Sequence, residues 1–580
     1  MPITEGEAIT EPEARGARPT RWLIVALAIV AALVASQLSP DPWPSEDARL
    51  QVAYLGRTVI DEPIPLDGTP IAFAGEADDA VLNLELAEGT SIDRPLRGEL
   101  ALEVAGLVVR PELGDVTVRL VLADGRDEAI PAIRWDAASR ALVVGRRPPV
   151  DAAIVLGLLA LVVVLWVSEA LPLFVTALAV PVVLAVTGVQ EATDALAPFF
   201  HPIIALFFGG FLMAEAMRRV GLDHLAAINL VARFGRTPAT LFGAMIGVAA
   251  FLSMWMSNTA AAAALVPIAI AVTAPFAGDS GINYRRALVL GIAYAATIGG
   301  VGSAIGTPAN PLAIEFLDEF VGRQVSFVEW FGFGLPMVVL FLPLMGVYLW
   351  WRFAVRIDRE QFVAARRMAS EQLAAAGRPD RDQLTVLAVF SGVIALWLTQ
   401  TWHELDTGII ALGGAVTLAV LGYVRQDDLG RISWASLLTF GGGLALGVAL
   451  VDSGTADWIA GSLTVLEGAP PLVALGAVAL IALGLTTVAS NTASAAMMIP
   501  IAIPLAGLLD LDPVLLVATV AVASSIDFAL VIGTPPTMIA YSTRLFTAPQ
   551  IFRLGAALDV AGVLLLVVVV ASFWELAGLV

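Results

Sequence analysis

The stretch from Ser253 to Ala271 reads SMWMSNTAAAAALVPIAIA, and the stretch from Thr486 to Pro504 reads TTVASNTASAAMMIPIAIP. Both contain Ser-Asn-Thr, with a hydroxyl residue four positions before that serine and a proline ten positions after it. Gly-Thr-Pro follows each copy, at Gly306-Thr307-Pro308 and Gly533-Thr534-Pro535. Polar residues and helix breaks are tolerated at membrane depth where they face protein or a water-filled cavity. The duplication therefore predicts two related halves with paired binding sites, as in secondary transporters.

The composition places most of the chain in a lipid bilayer. Of its 580 residues 58% are hydrophobic and only 14% are charged, whereas a soluble globular chain has about 25% charged residues. The chain has no cysteine, which excludes disulfides and thiolate metal sites, and its three histidines are scattered. The net charge of −20 gives no indication of nucleic-acid binding.

Hydropathy and charge divide the chain into segments. Residues 39–148 interrupt the apolar pattern with alternating stretches such as VTVRLVL (Val116 to Leu122), and this segment has 20 acids against 11 arginines. Arginines concentrate in the longest loop between predicted spans. We predict a disordered N-terminus (1–20), a first transmembrane helix (21–38), an extracytoplasmic β-rich domain (39–148), a first transmembrane repeat (149–351), a cytoplasmic amphipathic linker (352–382) and a second transmembrane repeat (383–580).

The same charges predict the orientation in the membrane. Arg15, Arg18 and Arg21 precede the first span, and arginine marks cytoplasmic loops. The N-terminus is therefore expected in the cytoplasm of a multi-pass inner (plasma) membrane protein. Two segments with glycine-rich centres, 197–220 and 433–460, are predicted to be re-entrant hairpins, while 239–275 and 473–508 are predicted to be spans.

The chemistry of the repeated motifs favours ions. At a broken helix several carbonyl groups lose their partners, and together with Ser, Thr and Asn oxygens they suit Na⁺. Amide groups freed at a helix N-terminus attract anions. Two such sites suit a divalent anion flanked by cations. A single Ser-Asn-Thr could equally be a polar contact between helices, but that explanation is weaker for two copies in matched surroundings.

At these residues the chain resembles the divalent anion:sodium symporter family, whose members carry dicarboxylates, citrate or sulfate. The resemblance extends to WVSEALPLFVTALAVPVVLAVTGV (Trp166 to Val189), FFGGFLMAEAMRRVGLDHLAA (Phe207 to Ala227) and FGGGLALGVALVDSG (Phe440 to Gly454). It implies an all-α polytopic membrane protein, an inverted-repeat transporter with re-entrant hairpins and broken helices, here with a small inserted extracytoplasmic β domain. It also implies Na⁺ as the coupling ion, a homodimer and elevator-type alternating access.

The family's motif residues carry over by position. The resemblance implies that substrate contacts Ser257, Asn258, Thr259, Ser490, Asn491, Thr492, Thr307, Pro308, Thr534 and Pro535. It implies one Na⁺ site at Ser253, Ser257, Asn258 and Gly306, and another at Thr486, Asn491 and Gly533. The family's usual Gly-Thr-Pro-Pro-Asn departs at Ala309 in the first half and at Thr537 in the second.

Two acids lie inside apolar stretches. Asp527 precedes the second Gly-Thr-Pro, and an acid at membrane depth is by default a functional hypothesis, here a proton site or an added cation ligand. Glu215 is a weaker candidate of the same kind.

The function predicted is therefore Na⁺ symport of a succinate-like di- or tricarboxylate. An anion exchanger and a proton-coupled or sulfate carrier remain alternatives within the family. An intramembrane enzyme is disfavoured because the repeated motifs contain no His or Cys, and a sensor is disfavoured because the 352–382 loop is too short for an output domain.

Overall fold

The structure is a computed structural model. It describes residues 18–38, the strands between 48 and 145, and residues 149–574 except 223–224, 226–228, 230–236, 277, 356–361, 364–378, 464–467, 510 and 532. Most of the predicted linker and the predicted disordered residues 1–17 therefore lie outside the described residues.

The first part of the chain contains one helix followed by strands. Helix α1 is Arg18–Ala35, which begins three residues before the predicted boundary and continues as a 3-10 turn, Ser36–Leu38. The strands are β1 (Ala48–Tyr54), β2 (Arg57–Ile64), β3 (Asp67–Ala72), β4 (Ala80–Glu85), β5 (Ser91–Leu96), β6 (Val116–Leu122), β7 (Asp127–Glu128), β8 (Ile133–Asp136) and β9 (Ala141–Gly145). They pair antiparallel in the orders β2-β1-β6-β7, β3-β9-β8 and β4-β5.

The strands fall inside the segment 39–148. In the first sheet Leu50 lies opposite Glu62 of β2 and Leu120 of β6. Whether this segment is a separate domain, and on which side of the membrane it lies, stays a prediction.

Helices follow from residue 149 onward. In the first half they are α2 (Pro149–Ser168), α3 (Leu173–Thr187), α4 (Ala192–Leu196), α5 (Pro202–Arg219), α6 (Pro238–Ser253), α7 (Asn258–Thr273), α8 (Gly278–Val301), α9 (Ala309–Val321) and α10 (Phe327–Arg352). In the second half they are α11 (Arg381–Leu398), α12 (Gln400–His403), α13 (Thr407–Val420), α14 (Trp434–Asp452), α15 (Thr455–Gly461), α16 (Pro471–Val488), α17 (Asn491–Leu508), α18 (Pro513–Ser525), α19 (Pro535–Ser542) and α20 (Ala548–Val569).

Length and composition identify the membrane-embedded helices. Within the described residues, 8 helices are long and apolar enough to cross a bilayer, in agreement with a polytopic helical membrane protein. They are Asp151–Ser168, Ala192–Arg219, Phe327–Arg352, Arg381–Leu398, Trp434–Asp452, Pro471–Val488, Asn491–Leu508 and Ala548–Trp574. Shorter apolar helices are also present, among them α6, α7 and α18.

The predicted hairpins at 197–220 and 433–460 are wrong. Helices α5 and α14 run without a break through their glycines. These glycines permit close packing instead of a turn. A methyl group on Gly209 would lie 2.6 Å from the backbone of Ala411, and one on Gly442 would lie 2.5 Å from the carbonyl oxygen of Ala177. A helix without Cβ atoms at these points lets a neighbouring helix approach closely.

The hairpins lie instead at 238–273 and 471–508, so the prediction of single spans there is also wrong. In the first, Tyr284 Oη donates to Pro238 O at 2.9 Å, and Arg285 Nη2 donates to Thr273 O at 2.7 Å. These two adjacent residues of α8 therefore hold the start of α6 and the end of α7 side by side. In the second, Ser494 Oγ donates to Ala482 O at 3.1 Å across the pair α16–α17. The two hairpin tips carry the Ser-Asn-Thr motifs.

The two halves interlock through the segments that follow the hairpins. Helix α9 of the first half packs against α17 and α18 of the second, and α19 of the second half packs against α7 and α8 of the first. Tyr294 Oη in α8 donates to Phe528 O at 3.1 Å across this junction. The motif-bearing elements of both halves therefore form one packed unit.

Glu215 has a structural role outside that unit. It is 8% exposed and forms ion pairs with Arg218 on its own helix and with Arg431, which precedes α14. The adjacent Arg219 pairs with Asp428, which is fully buried. These pairs attach the segment before α14 to the end of α5. The geometry thus gives Glu215 charged partners, and its part in transport stays a prediction.

Candidate functional site

Each Ser-Asn-Thr begins a helix at a hairpin tip. Ser257 is the N-cap of α7, where its Oγ accepts a hydrogen bond from Ala260 N at 3.2 Å. Ser490 is the N-cap of α17 and accepts from Ala493 N at the same distance, 3.2 Å. Serine is favoured at this position because it satisfies one of the amides that a helix N-terminus leaves free. The positive ends of both short helices thus point toward the tips, where an anion is stabilised.

The first motif forms a compact group of oxygens. Ser253 Oγ is 2.5 Å from Asn258 Oδ1 and donates to Ala296 O, in α8, at 2.6 Å. The position of Asn258 Oδ1 also lies 3.2 Å from Ala296 O and 3.1 Å from Gly306 O, and either the oxygen or the nitrogen of the amide can occupy it. When nitrogen occupies this position, its two hydrogens face three oxygen acceptors. When oxygen occupies it, four oxygens converge as a Na⁺ site requires. We call this group, made of Ser253, Asn258, Ala296 and Gly306, the first oxygen ring.

The second motif repeats part of this arrangement. Thr486 Oγ1 donates to Ser524 O, in α18, at 2.7 Å and lies 2.9 Å from Asn491 Oδ1. Thr486 therefore occupies the place of Ser253, and the Ser524 carbonyl occupies that of Ala296. Gly533 faces Asp527, since a methyl group on Gly533 would lie 1.8 Å from Asp527 Oδ2. We call Thr486, Asn491 and Ser524 the second oxygen ring.

The Gly-Thr-Pro segments lie at the breaks between α8 and α9 and between α18 and α19. Thr307 and Thr534 are both buried, and Thr307 Oγ1 lies 3.4 Å from Ser525 Oγ of the other half. Pro308 is half-buried and Pro535 is exposed. On the motifs themselves, Thr259 is exposed whereas Thr492 is half-buried.

The loops of the two breaks are held differently. Asn310 Nδ2 donates to the carbonyl groups of Gly300 and Ser303, at 3.0 and 2.6 Å. Within the described residues, the side chain of its counterpart Thr537 is hydrogen-bonded only to the hydroxyl of Thr534, at 2.9 Å. Asn310 fixes the loop of the first half through its side chain. The second half lacks such a link, because Thr537 stands where the family pattern has asparagine.

Sequence reasoning missed the helix carbonyls and one acid. The oxygens of Ala296 and Ser524 belong to the backbone of apolar helices, and no side chain signals them. Asp559 in α20 is 5% exposed and accepts a hydrogen bond from Phe528 N at 2.8 Å. An acid within the apolar run of α20 was a signal that could have identified it.

The donor set fits Na⁺. The first oxygen ring supplies the hydroxyl of Ser253 and the carbonyl oxygens of Ala296 and Gly306, which are uncharged hard ligands of the kind that this cation takes in broken-helix transporters. The Asn258 amide adds a fourth oxygen in the orientation that turns its oxygen toward them. Among the described residues no cluster of three or more His, Cys, Asp or Glu could hold a transition metal. The geometry can therefore hold small monovalent cations beside helix N-termini that attract an anion.

Comparison with known proteins agrees with this geometry. The model of a family described as citrate transporters matches residues 163–521 and 399–578. A sodium-dependent dicarboxylate transporter, SdcS, of Staphylococcus saprophyticus is 32% identical over 437 residues, covering 70% of this chain and 83% of the relative. The Staphylococcus aureus SdcS is 29% identical over 433 residues, covering 70% and 82%. An uncharacterized transporter of Haemophilus influenzae is 33% identical over 439 residues, covering 72% and 91%.

The match to the family model extends across both oxygen rings and the helices around them. The family and the relatives are transporters, not enzymes. The chain belongs to the divalent anion:sodium symporter family.

Proposed function

We propose that this protein is a secondary active transporter that imports a succinate-like di- or tricarboxylate together with Na⁺. The observation that carries the proposal is the pair of oxygen rings, each beside the N-terminus of a short helix capped by Ser257 or Ser490. The names of the SdcS relatives, which are sodium-dependent dicarboxylate transporters, support the choice of cation and substrate.

In this proposal the motif residues hold the substrate and the ions. The Ser-Asn-Thr residues 257–259 and 490–492 contact the carboxylates, and Thr307, Pro308, Thr534 and Pro535 line the cavity. Ser253, Ser257, Asn258 and Gly306 hold one Na⁺. Thr486, Asn491 and Gly533 hold the other, with Asp527 as an added ligand or a proton site. Free amides at the helix ends bind the anion without a buried arginine.

We further propose inverted repeats, elevator-type alternating access and a homodimer. The reciprocal packing of α9 on α17 and α18, and of α19 on α7 and α8, supports movement of both hairpins as one body. The remaining helices would then form the scaffold and the dimer contact. In elevator-type access this body, which carries the motif residues, moves rigidly against the scaffold.

Uptake into proteoliposomes tests the function. With an inward Na⁺ gradient, labelled succinate should accumulate, and a sodium ionophore should abolish the accumulation because the gradient supplies the energy. Citrate and sulfate, each offered under the same gradient, measure the substrate range. An equal K⁺ gradient is the control. Uptake that requires internal dicarboxylate and ignores Na⁺ would make the protein an exchanger and contradict symport.

Labelling of single cysteines tests the orientation, which we propose has the N-terminus and the 352–382 linker in the cytoplasm and 39–148 outside. The chain has no native cysteine, so Asp79→Cys and Arg366→Cys report without background. In intact cells a membrane-impermeant maleimide should label only the former, because the latter lies in the arginine-rich loop. Permeabilised cells should label both. The reverse pattern in intact cells would invert the proposed topology.

A further inference from the structure

The break between α18 and α19 contains a buried carboxyl group that lacks a hydrogen-bond partner. Asp527, two residues beyond the end of α18, is 1% exposed. Neither of its carboxylate oxygens has a hydrogen-bond partner among the described residues. Its Oδ2 faces Gly533, where an added methyl group would lie 1.8 Å away. A buried carboxylate without a partner is costly, so either a proton or a bound cation is expected to compensate its charge.

A second acid approaches the same break from α20. Asp559 Oδ1 accepts a hydrogen bond from the amide of Phe528, the residue next to Asp527, at 2.8 Å. The two carboxyl groups are close enough to interact electrostatically. In the part of the chain that the structure describes, neither forms an ion pair with Arg or His. Two acids thus meet at this break without a basic side chain to balance them.

The first half is built differently before its Gly-Thr-Pro. Asp527 stands six residues before Gly533, whereas the residues from Gly299 to Gly306 include no acid. Gly300 leaves its space to the Asn258 amide, because a methyl group there would lie 2.4 Å from Asn258 Oδ1. The first oxygen ring is therefore uncharged, whereas a carboxylate reaches the Gly-Thr-Pro of the second half.

We propose that the Asp527 carboxylate is a direct ligand of the Na⁺ bound in the second half, so that one cation site is anionic and the other neutral. Asp559 is a positioning residue, which holds the loop through the Phe528 amide. This inference rests on the proposed Na⁺ coupling and adds to it an asymmetry between the halves. Because opposite charges attract strongly where water is excluded, the second site binds Na⁺ more tightly and fills first.

Equilibrium binding of radioactive Na⁺ to the purified protein, without substrate, tests the asymmetry. The wild-type protein should show a tighter and a weaker class of sites. Asp527→Asn keeps the shape but removes the charge, and should raise the Na⁺ concentration that half-fills the tighter class by at least about tenfold. Asp512→Asn is the matched control, because Asp512 caps α18 and asparagine caps equally well. It should leave both classes unchanged.

Two further variants separate the roles. Asn258→Ala disrupts the first oxygen ring and should remove only the weaker class. Asp559→Asn keeps an acceptor for the Phe528 amide. It should raise the Na⁺ concentration that half-fills the tighter class less than Asp527→Asn does. If Asp527→Asn does not elute as a folded protein, Asn258→Ala decides alone, since loss of the tighter class in that variant would overturn the proposal.

The outcomes distinguish this inference from the proposed function. An unchanged Na⁺ titration in Asp527→Asn, with Na⁺-driven uptake intact in the wild type, overturns the asymmetry alone. The asymmetry is also overturned, and the proposed function kept, if Asp527→Asn changes only the dependence of uptake on pH. Asp527 would then be a proton site. Failure of the wild-type protein to bind Na⁺ overturns both.

Discussion

Replacing Asn258 or Asn491 with alanine should reduce saturable dicarboxylate uptake by about a hundredfold, from the loss of about 3 kcal/mol of charge-assisted contacts. Each amide contacts a buried hydroxyl, Asn258 with Ser253 at 2.5 Å and Asn491 with Thr486 at 2.9 Å. Each also begins the helix whose N-terminus is proposed to bind a carboxylate. One substitution therefore removes a partner of the cation and a partner of the anion together.

Initial rates of labelled succinate uptake into proteoliposomes, at equal amounts of protein, measure this effect. Asn229→Ala is a matched control, since Asn229 Nδ2 donates to Leu225 O at 3.0 Å and belongs to neither oxygen ring. It should transport as the wild type does. Near-normal saturable uptake by either motif variant would show that the two halves do not share one site.

Gly300→Ala should disable the first cation site without unfolding the protein. The added methyl group would lie 2.4 Å from Asn258 Oδ1, which is the end of a side chain that can move away, and 3.0 Å from Gly306 O, where a shift of a few tenths of an ångström relieves the contact. The hairpin keeps its packing, but the amide leaves the first oxygen ring. We expect the Na⁺ concentration for half-maximal uptake to rise at least about tenfold, as loss of one oxygen ligand implies.

Alanine substitutions at two other glycines provide the comparison with Gly300→Ala. Gly247→Ala, in α6, meets no atom within 4 Å and should be silent. Gly299→Ala would place a methyl group 2.2 Å from the backbone oxygen of Ala250, which cannot move independently of α6, so this variant should unfold at lower temperature. A thermal melt separates the two effects. Normal Na⁺ dependence in Gly300→Ala would remove Asn258 from the proposed cation site.

Glycine shows why a sequence pattern alone misplaced the hairpins. Residues 208–210 and 440–443 have the composition of a turn, yet α5 and α14 continue through them. A missing Cβ allows both a reversal of the chain and the close approach of a neighbour. Only the position of Ala411 and Ala177 against these glycines distinguishes the two uses.

The sequence by itself determined the membrane class, the family and the positions of the paired motifs, because apolar composition and repeated tripeptides are local properties that need no contacts. The tertiary structure decided what surrounds those motifs. The carbonyl groups of Ala296 and Ser524 carry no side-chain signal and enter the oxygen rings only because α8 and α18 pack beside the hairpin tips. Asp559 likewise reaches the loop containing Asp527 from a helix that begins beyond it. Such partners depend on distant segments meeting in space, which a local pattern does not encode.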